Sequence, residues 1–524
     1  MKNRPWFKYW PEGVPKHIEY PDVPLFRFLI DSSEKYPDKP ALLYKSKKIT
    51  YSELDKLSNR FANRLTDMKI GPGNRVMLFL PNCPEYIIGY YGVLKSGAVV
   101  TAASPLFKER ELEYQLKDSE AEATITNGSL YPVVESIREK ACLKNVIVIG
   151  KDTADYFAEQ SETSQFKEKM DINARKDTAV LQYTGGTTGI PKGAMMTHYN
   201  LVANAIQNVK WFGWTEDDIV LAILPFCHTW STCVCINSPI LIGNTVVILD
   251  HFDPETVLQT IESEKITICY GATAMFNLLV NHPEIERYDL SSLRIVKAGA
   301  MPIPEETKRK WDRLTHVGLT LGYGLTEASP ETHNSPPQRV KPGTVGIPIS
   351  DTDARIVDLE TGTKDLLPGE VGELVLRGPQ VTLGYWKKPD ETRNMLKNGW
   401  LHTGDIARMD EEGYFYIIDR KKDLIIYKGY SVFPAEIENV LYEHPAVKEC
   451  LVIGKPVPEL GEVPKAFVVL KEDISVSMDE LMAFCETRLA PYKKIRDVEF
   501  VLELPKTVAG KPLKRVMRKR LSTS

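Results

Sequence analysis

The stretch AVLQYTGGTTGIPKG, residues 179–193, decides how the chain folds. Its first five residues read as an apolar strand. A helical pattern, HYNLVANAIQNVK, follows at 198–210. Between the two lie glycines, threonines and a lysine. Glycine lets backbone N–H groups approach an anion closely. The hydroxyls of Thr184, Thr187 and Thr188 add donors, and Lys192 adds positive charge. A strand, a glycine-rich loop and a helix in that order suit a polyphosphate. The loop is not of the Walker type, because G-x-x-x-x-G-K-[S/T] is absent.

Outward from this loop, strand-like and helical patterns keep alternating. RVMLFL (75–80) precedes PEYIIGYYGVLKSG, and TVVILD (245–250) precedes PETVLQTIESEK. Such alternation predicts an α/β domain of parallel or mixed sheets layered with helices, here over residues 1–420. The pattern changes at DRKKDLIIYKGY, which starts at Asp419. Beyond it, short helices and the strands KECLVIG, KAFVVL and VEFVLEL predict a small α+β domain over 421–524, with a hinge at 420–423.

Bulk properties narrow the classes. The 66 Lys and Arg against 70 Asp and Glu leave a net charge of −4, so no basic field points to nucleic acid as a partner. The opening MKNRPWFKYWPEGVPK lacks the apolar run of a signal peptide. The eight cysteines form no CxxC pair, which predicts reduced thiols in a cytoplasmic protein. Residues 219–249 carry no Lys, Arg, Asp or Glu, but Pro225, His228, Asn237, Pro239 and Asn244 interrupt them. A spanning helix needs ~20 mostly apolar residues. The segment therefore reads as a strand, a turn, a buried helix and a second strand that can line an apolar pocket, with no transmembrane segment.

Six further motifs follow in order: PFCHTWS (225–231), KAGAMPIP (297–304), LGYGLTEASP (321–330), GWLHTGD (399–405), DRKKDLIIYKGYSVFPAEIE (419–438) and LPKTVAGKPLKR (504–515). With YTGGTTGIPKGAMMTH they resemble the adenylate-forming superfamily over nearly the whole chain. That superfamily includes acyl-CoA synthetases, amino-acid-activating domains and luciferases. The resemblance implies ATP, Mg²⁺ and coenzyme A as co-substrates and cofactors, and a mobile C-terminal domain.

Residue by residue, the resemblance places ATP or AMP against Thr184, Gly185, Gly186, Thr187, Thr188, Gly189 and Lys192, and against Gly299 and Ala300. Gly322, Tyr323, Gly324 and Thr326 would complete the adenine and α-phosphate site, with Tyr323 stacked on the base. Asp405 would hold the ribose hydroxyls, and Ile417 and Arg420 would lie nearby. Glu327 would bind Mg²⁺, a role suited to a hard carboxylate oxygen. Lys511 would bridge the substrate carboxylate and the α-phosphate, where a cation favours the transition state over the ground state. The catalytic set is thus Lys511, Glu327, Thr184 and Lys192. Lys422 falls at the family's hinge, and Lys428 and Gly429 where the thiol of coenzyme A arrives.

The acid's own pocket is implied at His228, Trp230, Ser231, Cys233, Cys235, Ala272 and Thr273, with His228 and Trp230 at its mouth. Amino-acid-activating relatives carry an Asp in the segment equivalent to 226–231, and none is present here. The uncharged stretch also disfavours a second carboxylate or an amine. The expectation is a CoA ligase for medium- to long-chain fatty acids. Aryl acids, or loading of a carrier protein, are the alternatives. Ile426 stands where luciferases carry a second lysine. Chain length of the acid and oligomeric state stay open.

Overall fold

The apolar strand ahead of the glycine-rich loop spans Thr178–Thr184 in a computed structural model that describes residues 4–149, 171–184, 191–299, 301, 303–428, 430–472, 474–506 and 512–523. The chain resolves into two compact units. One gathers the described residues up to 353 together with 377–401. The other gathers 354–376 and those from 402 onward.

Among the described residues, the first unit holds two sheets. A six-stranded sheet runs in the order Asn145–Ile149, Ala121–Asn127, Arg75–Phe79, Val99–Ala102, Thr178–Thr184, Lys192–Thr197, parallel except for the last strand. A nine-stranded sheet has six parallel central strands, Thr320–Gly324, Ile295–Gly299, Ile268–Ala272, Ile219–Ala222, Thr245–Ile248 and Pro40–Tyr44, with antiparallel strands at its edges. Helices cover these sheets, so a strand such as TVVI at 245–248 is buried along its whole length.

Local chemistry sets the element ends. Helix His198–Phe212 begins at Thr197, whose hydroxyl accepts from the Asn200 N–H at 3.1 Å while the Asn200 amide oxygen accepts from the Thr197 N–H at 3.0 Å. That reciprocal cap satisfies two of the donors a helix start leaves open. The helix stops at Gly213, whose φ of +60° is costly for any residue with a Cβ. Residues 219–249 form the strand, buried helical turns and second strand that their pattern predicts. Among the described residues, no helix is long and apolar enough to cross a membrane.

Among the described residues, the second unit carries two smaller sheets. One contains Val371–Arg377, Trp400–Met409 and Phe415–Arg420. The other runs Tyr430–Val432, Ile425–Tyr427, Gly461–Leu470, Val447–Val457, with Asp497–Phe500 parallel to Gly461–Leu470. Ile437 and Leu441 of helix Pro434–Tyr442, and Leu481 and Cys485 of helix Met478–Glu486, fill its core, as their spacing predicts. All eight cysteines are unpaired thiols.

Candidate functional site

In the first unit, the site is built at the two strands flanking the glycine-rich loop. Thr184 pairs directly with Lys192 across the antiparallel ladder, so hydroxyl and ammonium stand on the two strand ends that lead into the loop. Both side chains are partly exposed. Gly185, Gly186, Thr187, Thr188 and Gly189 lie outside the described residues, as do Ala300, Gly429 and Lys511.

Residues 382–386 bind this hairpin to the LGYGLTE turn. The Met195 N–H donates to the Gly384 carbonyl at 2.9 Å, and the Trp386 N–H to the Gly193 carbonyl at 2.8 Å. The Thr382 N–H donates to the Glu327 carbonyl at 3.0 Å. The Tyr385 hydroxyl donates to Glu327 Oε1 at 2.5 Å, and the Lys192 ammonium lies 5.2 Å from the centre of the Tyr385 ring. A partly exposed carboxylate beside a lysine-bearing loop edge fits Mg²⁺ carried on a polyphosphate, since Mg²⁺ is held by one or two carboxylates plus phosphate oxygens. Tyr385 went unread in the sequence because TLGYWKKPDET has no phosphate-site chemistry of its own.

Gly299, Ala272 and Tyr323 stand at or near the C-terminal ends of neighbouring parallel strands, where open α/β sheets bind ligands. Gly322 and Gly324 are closely surrounded. A Cβ at Gly324 would collide with the Pro330 carbonyl, and one at Gly322 would press on Asn334 and the end of Lys297. Tyr323 and Thr326 are partly exposed, and the Tyr323 ring packs edge-on against His333 at 5.8 Å. The Thr273 hydroxyl donates to the carbonyls of Met301 at 2.8 Å and Gly299 at 3.3 Å.

The acid-pocket candidates cluster around Trp230. His228 caps the short helix Thr229–Ser231, accepting from the Trp230 N–H at 3.3 Å. The Ser231 hydroxyl is buried on the Leu224 carbonyl at 2.7 Å. Cys233 and Cys235 follow in a π-helical turn, and burial pushes the Cys235 thiol up to about 12, so it stays a small neutral filler. The stretch itself is uncharged, but two neighbouring strands bring charges to it. Lys297 and Glu331 pair at 2.5 Å with each side chain 3% exposed, and the Trp230 indole N–H donates to the same Glu331 oxygen at 3.1 Å. No periodicity links residues 34 positions apart, so this pair was invisible in the sequence.

In the second unit, Asp405 and Arg420 face each other in the ladder and pair at 2.7 Å, with the Asp405 side chain 3% exposed. Ile417 sits on the same strand, opposite Ala407. Behind them is Glu373, which accepts from the Gly404 N–H at 3.1 Å and Lys421 at 3.0 Å and lies 3.4 Å from His402. Burial raises its carboxyl, but the hydrogen bonds from His402 and Lys421 prevail and bring it down to about 2. Thr403, Gly404, Arg420, Lys421 and Lys422 line a cleft of about 260 Å³. Lys422 lies in the 3₁₀ turn Lys421–Asp423, and Asp423 is paired with Arg518 at 2.7 Å. Lys428 is exposed, with φ +48° at its hairpin turn.

Comparison with known proteins agrees with this geometry. The profile of the family described as AMP-binding enzyme matches residues 29–386, and that of the AMP-binding enzyme C-terminal domain matches 436–511. A long-chain-fatty-acid–CoA ligase of Bacillus subtilis is 40% identical, with 98% of each chain covered. ATP-bound MatB from Rhodopseudomonas palustris superposes with a TM-score of 0.87 at 30% identity, over 95% of this chain and 99% of that one. A fatty acyl CoA synthetase of Mycobacterium tuberculosis gives 0.78 at 30% identity, over 95% and 98%.

Proposed function

The chain belongs to the AMP-binding enzyme family, and from that premise we propose that it is an AMP-forming ligase joining a medium- to long-chain fatty acid to coenzyme A. The observation that carries this reading is the pairing of Thr184 with Lys192 at the loop edge, joined through Tyr385 to Glu327.

In the first half-reaction, a carboxylate oxygen of the acid attacks the α-phosphorus of ATP, and pyrophosphate leaves. Lys192 and the loop counter the charge of the leaving phosphates, and Lys511 bridges the two anions as they meet. Glu327 would hold Mg²⁺, which offsets phosphate charge when bound. Tyr323 and Thr326 orient the nucleotide, while Asp405 and Arg420 hold the ribose. In the second half-reaction, the C-terminal segment turns about Lys422, Lys511 withdraws, and Lys428 and Gly429 border the entry of the thiol. The thiol attacks the acyl carbon and AMP leaves. The eight unpaired thiols support a reducing, cytoplasmic setting.

AMP release measured over hexanoic, decanoic, palmitic, benzoic and 4-coumaric acids, with and without coenzyme A, tests the reading. AMP and acyl-CoA formed fastest with decanoic or palmitic acid is the expected result. Preference for the aryl acids, or turnover that ignores coenzyme A, would contradict it.

A further inference from the structure

We propose that Glu331 is a positioning residue for Trp230, and that the buried Lys297–Glu331 pair thereby selects which acids the enzyme activates. The proposal rests on the fatty-acid reading above, with Trp230 at the mouth of the acid's pocket.

The indole is held on two sides. A Cβ added to Gly299 would lie 2.6 Å from the six-membered ring, so the indole rests against bare backbone at the end of strand Ile295–Gly299. Its N–H is tied to Glu331 Oε1 at 3.1 Å. The ring therefore reaches from the helical turns that carry Ser231, Cys233 and Cys235 to the strand end assigned to the nucleotide. A long chain entering along these turns must displace it, whereas a short one need not.

The charge pair limits the cost of that displacement to one hydrogen bond. Glu331 accepts three hydrogen bonds: from Trp230, from Lys297 at 2.5 Å and, on Oε2, from Asn334 at 3.1 Å. When the indole leaves, the carboxylate keeps the other two, so no buried charge is stranded. Lys297 is fixed in turn by rings, with Phe212, Tyr270 and Trp230 centred 5.5, 5.6 and 5.9 Å from its nitrogen. A buried ion pair is weak evidence for stability. Its placement on the indole N–H, beside a segment with no other charge, assigns it to holding that ring.

Two variants test this. Trp230→Phe keeps a ring and removes only the N–H and the second ring. Lys297→Met with Glu331→Leu removes the acceptor without stranding a charge. For each, kcat/KM is measured for palmitic and hexanoic acids, with KM for ATP as a readout of the neighbouring nucleotide site. Both variants should raise the palmitic-to-hexanoic ratio by ~3–10-fold, the size of one lost hydrogen bond, with KM for ATP within about twofold. An unchanged ratio, opposite shifts in the two variants, or a KM for ATP that moves as much as that for the acid would overturn the proposal. Absence of AMP release from the wild-type protein with either acid would overturn the fatty-acid activity as well, and is told apart because it needs no variant.

Discussion

Tyr385 and Glu327 are 58 positions apart and share one short hydrogen bond. That bond occupies one carboxylate oxygen and sets the direction of the other. Glu327→Gln should raise the Mg²⁺ concentration needed for half-maximal acid-dependent pyrophosphate exchange by at least ~10-fold, and Tyr385→Phe by ~3–10-fold, since the phenylalanine loses only the orienting contact. An unaltered Mg²⁺ dependence in both would place the metal elsewhere. Glu373 carries a prediction about acid. Its carboxyl is lowered from 4.5 to about 2 in the folded protein. The stabilisation it gives is therefore complete above about 4.5 and disappears as pH falls toward 2. Glu373→Gln should melt at a lower temperature than wild type at pH 7, and the gap should narrow as the pH falls below 4.5. A gap independent of pH would mean that packing, not charge, is at stake. Thr184, Lys192, Glu327 and Asp405 were singled out in the sequence through the motifs that contain them. Tyr385, Lys297, Glu331 and Glu373 were not, because each acquires its meaning from a partner on another strand.

Strand and helix existence followed from pattern, as in Arg75–Phe79 before helix Pro84–Lys95 and Thr245–Ile248 before helix Pro254–Ser263. The π-helical turn Thr232–Asn237 could not be read so, because an uncharged buried run has no period to distinguish it. The RKKD run is also more than a solvated charged loop. Asp419 accepts from the Ala435 N–H at 2.9 Å, Lys421 from its side reaches Glu373, and Asp423 holds Arg518. We propose Lys422, in the turn Lys421–Asp423, as the position where φ and ψ change. Proline fixes φ near −65° and restricts the residue before it. Lys422→Pro should keep acid-dependent pyrophosphate exchange and lose acyl-CoA formation, even from supplied acyl-AMP. Equal loss of both half-reactions would indicate a disturbed Arg420 instead.

For the molecule entire, alternation of strand and helix identified the layered α/β class. The way in which 354–376 joins the C-terminal elements in one unit depends on pairing of Val371–Arg377 with Trp400–Met409, strands distant in sequence, which no local pattern encodes. Lys511→Ala should lower acid-dependent pyrophosphate exchange by at least ~10²-fold, the loss expected for one transition-state charge contact, and should spare thioester formation from supplied acyl-AMP.

The claim beneath all of these is that the acid's own oxygen attacks the α-phosphorus. Palmitic acid labelled with ¹⁸O in its carboxyl group, incubated with MgATP and coenzyme A, tests it by mass spectrometry of the nucleotide product. The thiol breaks the bond between the acyl carbon and the bridging oxygen, so each AMP released should carry one ¹⁸O and no ADP should form. Unlabelled AMP, or ¹⁸O found in orthophosphate alongside ADP, would contradict the adenylate and with it the assigned roles of Lys192, Glu327 and Lys511.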